Sequence, residues 1–135
     1  MYETIKLRTE KNGMQEITEQ IREIVRNSGV QDGICAIFCT HTTAGIVMTS
    51  CGDKETPEDI QDELRRLVPT RVDFKHQHDT PEDAAGHVKS AVVGSSITLF
   101  VENGELFAGN TKGVYFAEFD GPRNRQILVK VIRNA

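Results

Sequence analysis

Along Thr4 to Arg8 the apolar residues Ile5 and Leu7 alternate with polar neighbours, the pattern of a half-buried strand. Lys11-Asn12-Gly13 then turns the chain. From Thr18 the period lengthens: Ile21, Ile24 and Val25 fall four, seven and eight residues after Ile17, so they share one helical face, and Gly29 follows as the stop. Asp32-Gly33 leads into the apolar run Ile34 to Phe38, and a second run spans Ile46 to Met48. Runs of this length read as buried strands, and the two are expected to flank the polar stretch Cys39 to Gly45 as a pair.

Past Met48 the chain turns polar, and Thr56-Pro57-Glu58-Asp59 supplies a capping hydroxyl, a proline for the first helical position and early acids. The helix it predicts carries Ile60, Leu64, Leu67 and Val68 as one stripe and ends at Pro69. Thr80-Pro81-Glu82-Asp83 repeats the start signal for a helix through Ala84, Val88, Ala91 and Val92, stopped by Gly94. His87, beside Val88 and one turn from Ala84 and Ala91, is expected to face inward or toward the edge of a cleft. The C-terminal part reads as strands. Ser96 to Val101 is apolar, Asn103-Gly104 supplies the positive-φ pair of a tight hairpin, and the return strand starts at Leu106. After Gly109 to Gly113, Val114 to Phe119 and Gln126 to Ile132 are predicted to pair across Asp120-Gly121-Pro122-Arg123-Asn124. Both faces of these strands are apolar, whereas an antiparallel sheet usually leaves one face wet, so a sandwich of two sheets or a subunit interface must cover the second.

Composition narrows the class. A chain of 135 residues, 38% hydrophobic and without repeats or linkers, fits one domain over 1–135. Its net charge of −4 argues against a nucleic-acid partner, since phosphate backbones are held by clustered Lys and Arg. No apolar stretch approaches the ~20 residues of a membrane span, and Met1-Tyr2-Glu3 opens no signal peptide, so a cytoplasmic protein without a membrane partner is expected. Cys35, Cys39 and Cys51 have no CxxC spacing, and the first two read as small buried hydrophobes. A nucleophilic role for Cys39 has no base beside it in sequence.

The four histidines, His41, His76, His78 and His87, lie in one third of the chain. Neutral imidazole is a common ligand of divalent metals, and Asp62, Asp120 or Glu118 would complete a shell or orient a ring. His41-Thr42-Thr43 sits between two strand-like runs, where a rim histidine and threonine hydroxyls either aim at a ligand or serve as ordinary strand-edge residues. Asp59, Asp62 and Glu63 otherwise form a solvated helix face. Arg123 and Arg125 suit bidentate phosphate recognition or, equally, salt bridges to Glu118 or Asp120. Lys89 is a second phosphate contact or a solvated helix lysine.

His41-Thr42-Thr43-Ala44-Gly45, Leu67-Val68-Pro69, His76, His87-Val88-Lys89-Ser90, Val93-Gly94-Ser95-Ser96 and Glu118 to Arg125 fall in an order and spacing that resembles the YjbQ-like family, members of which are labelled secondary thiamine-phosphate synthases. The resemblance covers nearly the whole chain. It implies an α+β fold of two packed, mainly antiparallel β-sheets with flanking helices, assembled as a homotrimer through sheets. It further implies the weak thiamine-phosphate synthase activity of some members, the role of most being open, with a small phosphorylated substrate and a divalent metal, zinc or magnesium. On that reading the catalytic residues are His41, His87 and Asp62. The metal ligands are His41, His76 and His87, converging on one point, and Thr42, Thr43, Lys89, Glu118, Asp120, Arg123 and Arg125 bind substrate. The chain departs from the family pattern at Ser50, where an acid is usual, at Thr111-Lys112 in place of Trp-Gln, and at Ala85-Gly86 before His87. A non-catalytic trimer that binds phosphate-containing ligands is the alternative, and a purely structural trimer a third.

Overall fold

Two sheets, not one, account for the apolar faces at the C-terminal end of the chain. In the computed structural model, which describes residues 1–135, the order is β1 (Glu3–Arg8), β2 (Met14–Glu16), α1 (Thr18–Ser28), β3 (Asp32–Cys39), β4 (Ala44–Ser50), α2 (Glu55–Leu67), α3 (Pro81–Val93), β5 (Ser96–Glu102), β6 (Glu105–Phe107), β7 (Lys112–Glu118) and β8 (Asn124–Arg133). A five-stranded sheet runs β1-β8-β3-β5-β6 and a three-stranded sheet runs β2-β7-β4, with every pairing antiparallel.

Strands β7 and β8 therefore do not pair with each other, and neither do β3 and β4. Both connections cross between sheets. Around Thr43 and Phe119 the crossings are tied together, since Phe119 N donates to Thr43 O at 3.0 Å and Thr9 N donates to Arg123 O at 3.0 Å. Short polar loops between apolar runs look like hairpins in sequence, but here each apolar run has better partners elsewhere. The short strand β2, which no pattern marks, pairs Met14 with Ala117 at the edge of the smaller sheet.

Local signals fare better. Helix α1 ends at Gly29 with φ 73°, and α3 is capped by Thr80, whose Oγ1 accepts from Asp83 N at 3.1 Å, with Pro81 in the first turn. The β5–β6 hairpin turns on Asn103 at φ 53° and Gly104 at φ 76°. Helix α2 begins one residue before Thr56, and the carboxylate of Asp53, not the Thr56 hydroxyl, takes the Thr56 N–H at 2.7 Å. A charged acceptor serves the amide end of a helix better than a hydroxyl.

The layers follow from the faces. Ile17, just before α1, and Ile21 and Val25 within it are fully buried with Cys35, Ile37, Val101 and Ile127 of the larger sheet and Val114 and Phe116 of the smaller one. Each fully buried side chain of this size contributes about 1.5–3 kcal/mol. The opposite face of the smaller sheet, with Ala117 and neighbouring Phe119, packs against Leu64 and Ile60 of α2 and Val93 of α3. That is why β7 is buried on both faces. The opposite face of the larger sheet stays open and carries Ile34, Phe38, Phe100, Phe107 and Ile132 exposed. No helix is long and apolar enough to cross a membrane.

Candidate metal centre

Helix α3 presents Asp83 and His87 one turn apart, so both side chains reach the same side of the helix. The helix lies tight against the crossing strands because residue 86 is glycine: a Cβ there would stand 2.9 Å from Phe119 O and 3.3 Å from Thr43 Cβ. That close approach lets His87 Nδ1 reach the Thr42 carbonyl at 3.1 Å. The segment between α2 and α3 then brings His76 over the helix. His76 Nε2 and His87 Nε2 each lie 3.1 Å from the same oxygen, Asp83 Oδ2, with the two rings edge to face at 4.8 Å between centroids. The three ligating atoms lie within 4.8 Å of one another.

Hydrogen-bond chemistry at His87 is tightly constrained. A carbonyl only accepts, so Nδ1 must carry the proton that goes to Thr42 O, and in a neutral ring Nε2 is then a bare lone pair. Its neighbour at 3.1 Å is a carboxylate oxygen, also an acceptor. Two lone pairs at that distance need a proton or a metal ion between them. His76 has no such constraint and can donate to Asp83 from Nε2. The donor set of two imidazole nitrogens and one carboxylate oxygen, with a second-sphere carbonyl orienting one ring, fits a divalent transition metal.

Beside the cluster lies a cavity of about 680 Å³ walled by Leu67, Val68, Phe74 and Val88. Arg71 and Lys75 also line it, and the Arg71 guanidinium stacks 4.7 Å from the Phe74 ring centroid while pairing with Asp73 at 3.0 Å. Arg123, with nearly half of its side chain exposed, pairs with Asp120 Oδ2 at 2.7 Å, and that bond above all, with the charges of Asp120, Asp79 and Asp83, raises its pKa further. Arg123 does not line the cavity.

The remaining expected site residues are dispersed. His41 does not join His76 and His87: its Nε2 accepts the Gln126 N–H at 3.0 Å, facing a different cavity with Lys6, Arg8 and Asn124. Burial first, then the nearby Arg125 charge, lower its pKa, so it stays a neutral acceptor. A metal on that nitrogen would have to displace a backbone bond of β8. Asp62 is exposed on α2, bonded to Arg65, and lies outside the cluster, so it has no catalytic contact there. Thr43, Glu118 and Arg125 bind each other. Arg125 Nε donates to Glu118 Oε1 at 2.7 Å, its Nη2 pairs with Glu118 Oε2 and donates to Thr43 Oγ1 at 2.8 Å, and Thr9 Oγ1 donates to Glu118 at 2.6 Å. Burial alone would raise the Glu118 carboxyl, but Arg125, Thr9 and the Asp120 amide outweigh it and hold it below its ordinary value. Lys89 is neither solvated nor in the cavity: it is 1% exposed, with Nζ 6.0 Å from the Phe119 ring centroid, and its pKa is lowered by burial and by Arg65. Thr42 contributes its carbonyl. Asp83 is the residue that sequence reasoning passed over, because Thr80-Pro81-Glu82-Asp83 explains it as a helix-start acid. The signal was its spacing, four residues before His87 on one helix.

A family model described as "UPF0047 protein YjbQ-like" matches residues 3–134. Among relatives, UPF0047 protein YugU of Bacillus subtilis is 34% identical over 135 residues, covering 98% of this chain and 99% of its own. A UPF0047 protein of Methanocaldococcus jannaschii is 38% identical over 117 residues, covering 87% of this chain and 83% of its own. Among solved structures, a YjbQ/UPF0047 family protein of Clostridium acetobutylicum superposes with a TM-score of 0.88 at 38% identity, over 96% of this chain and 98% of that one. A protein of unknown function from Sulfolobus solfataricus gives a TM-score of 0.92 at 29% identity, over 99% and 97% of the two chains. With the two-sheet α+β architecture matched along almost its full length, the chain belongs to the YjbQ-like UPF0047 family.

Proposed function

We propose that His76, Asp83 and His87 hold a divalent transition metal and that the adjoining cavity works on a small phosphorylated molecule. The observation that carries this reading is Asp83 Oδ2, which faces two imidazole nitrogens at 3.1 Å, one of them unable to donate in its neutral form. Nitrogen ligands favour zinc or a similar ion over magnesium, which takes oxygen. When bound, such an ion supplies Lewis acidity toward a phosphoryl oxygen. The chain's own groups do the rest. Thr42 O fixes the His87 ring, Lys75 lines the cavity as a donor to phosphate, and Arg123, held by Asp120 outside that lining, is proposed as a second donor. The specific reaction proposed is formation of thiamine phosphate from its two phosphorylated precursors. The test is product formation by the zinc-loaded chain, with Asp83→Ala and Arg123→Ala each expected to abolish most of it. If the parent makes no product, the reaction is wrong.

One observation favours a binding protein over an enzyme: both histidines of the cluster are already committed to Asp83, and His87 also to Thr42, leaving no free base beside the cavity. Binding of phosphorylated precursors without turnover, weakened by Arg123→Ala, decides for that alternative.

We also propose that the chain assembles as a homotrimer through its larger sheet. Ile132, Ile34, Phe100 and Phe107 are direct cross-strand neighbours on its open face, an apolar row that crosses β8, β3, β5 and β6. Exposed apolar rows of this kind mark interaction surfaces. Light scattering should give three times the chain mass, and Phe100→Glu should reduce it to one; a monomeric parent at micromolar concentration refutes the assembly.

A further inference from the structure

A second cavity, of about 710 Å³, opens between the β1–β2 connection, the start of α2 and Tyr115, and shares no residue with the histidine cavity. Two of the residues that line it carry buried acceptors without donors. Gln61 is 4% exposed, and its side-chain nitrogen donates to two carbonyls, Gly13 O and Glu118 O, both at 3.1 Å. Because carbonyls cannot donate, the amide cannot be turned over, and Oε1 is left buried with no partner. Asn12, held at φ 52°, sends Nδ2 toward Glu82 at 3.5 Å and likewise leaves a buried Oδ1 unpaired. These are the only two buried side-chain polar atoms in the chain without a partner, and both belong to residues that line this cavity. Folds rarely leave such acceptors unless something fills the space beside them.

Charge selects what fills it. Four carboxylates, Glu16, Asp53, Glu58 and Asp62, line the cavity against two cations, Lys54 and Arg65. Arg65 is bound to Asp62, so Lys54 alone faces the other three acids. Asp53 already occupies the Thr56 amide, so the first turn of α2 does not present that donor to an anion. The lining is therefore rich in acceptors and negative in charge.

We infer that this cavity binds a small organic cation whose ammonium or guanidinium N–H groups donate to Gln61 Oε1 and Asn12 Oδ1, with Glu58 and Glu16 supplying the counter-charge. The site is independent of the metal centre and survives if that proposal fails. Putrescine and agmatine are the probes, titrated into ¹⁵N-labelled protein while the side-chain amide resonances of Gln61 and Asn12 are followed, with 1,4-butanediol and sodium chloride of equal ionic strength as controls. Both cations should give saturable shifts at the two amides, and neither control should. Asn12→Gly, which keeps the positive φ and removes the acceptor, should weaken binding roughly tenfold or more. Glu58→Gln, on the exposed rim and without structural contacts, should weaken it by a smaller factor and covers the case in which the Asn12 variant does not fold. The inference is overturned if the amides do not respond at probe concentrations of order 10 mM, which would leave water as the partner of the two acceptors. It is overturned equally if sodium chloride reproduces the shifts or if both variants bind like the parent.

Discussion

Two charged clusters flank the crossing at Thr43, and they are built on opposite terms. Around Glu118 and Arg125, both almost fully buried, the pair is bidentate and Thr9, Thr43 and the Asp120 amide take remaining valences. Around Asp83, one oxygen serves two half-exposed imidazoles, and one of them, when neutral, has no proton to offer. The first cluster is complete without anything added. The second leaves an acceptor facing an acceptor when the His87 ring is neutral, and a proton or a metal ion would resolve it. Each is centred on one buried carboxylate facing nitrogen groups, Arg125 in the first and two imidazoles in the second; the difference lies in whether donors match acceptors.

Removing one partner of the closed cluster should have the largest effect. Glu118→Ala leaves Arg125 buried and unpaired, and is expected to cost about 3–5 kcal/mol, read by urea unfolding. Metal affinity in the folded fraction should be unchanged. The pH dependence follows from the same pair. With its folded pKa below the ordinary glutamate value, Glu118 contributes stability that is fully present above the ordinary range and is lost as pH falls through that range toward the folded value. Glu118→Gln should flatten this part of the acid unfolding curve; an unchanged curve would mean that the ion pair does not govern it.

Asp83→Ala should do the reverse, lowering metal affinity by roughly a hundredfold or more, beyond what loss of a supporting hydrogen bond costs, with little loss of folding stability. Gly86→Ala tests the link between the two clusters. The added methyl pushes α3 off Phe119 O and Thr43, which is expected to cost about 1–3 kcal/mol and to weaken metal binding through the lost Thr42–His87 bond.

These pairs also show why part of the molecule was legible beforehand. Helix stops at Gly29 and Gly94, the Thr80 cap and the Asn103-Gly104 turn depend on neighbours in sequence, and each appears where its local chemistry puts it. The partners of β3, β4, β7 and β8 depend on which distant run offers the better face, and no local pattern contains that. The same limit applies to the site. His41 and Thr42 are adjacent, yet the His41 ring turns to the Gln126 amide of β8 while the Thr42 carbonyl meets His87. Residue type marked both as candidates; only the path of the crossing separates them. The smallest effect is therefore expected from His41→Ala, which should change metal affinity by no more than about twofold, as for a substitution outside the cluster.

The decisive measurement is ¹⁵N–¹H correlation of the histidine rings during a zinc titration. At one zinc per chain, Nε2 of both His76 and His87 should shift as ligands while Nδ1 of His87 keeps its proton and His41 stays unaltered. A ring pattern in which His41 responds with them, or in which no histidine saturates at one equivalent, contradicts the metal centre.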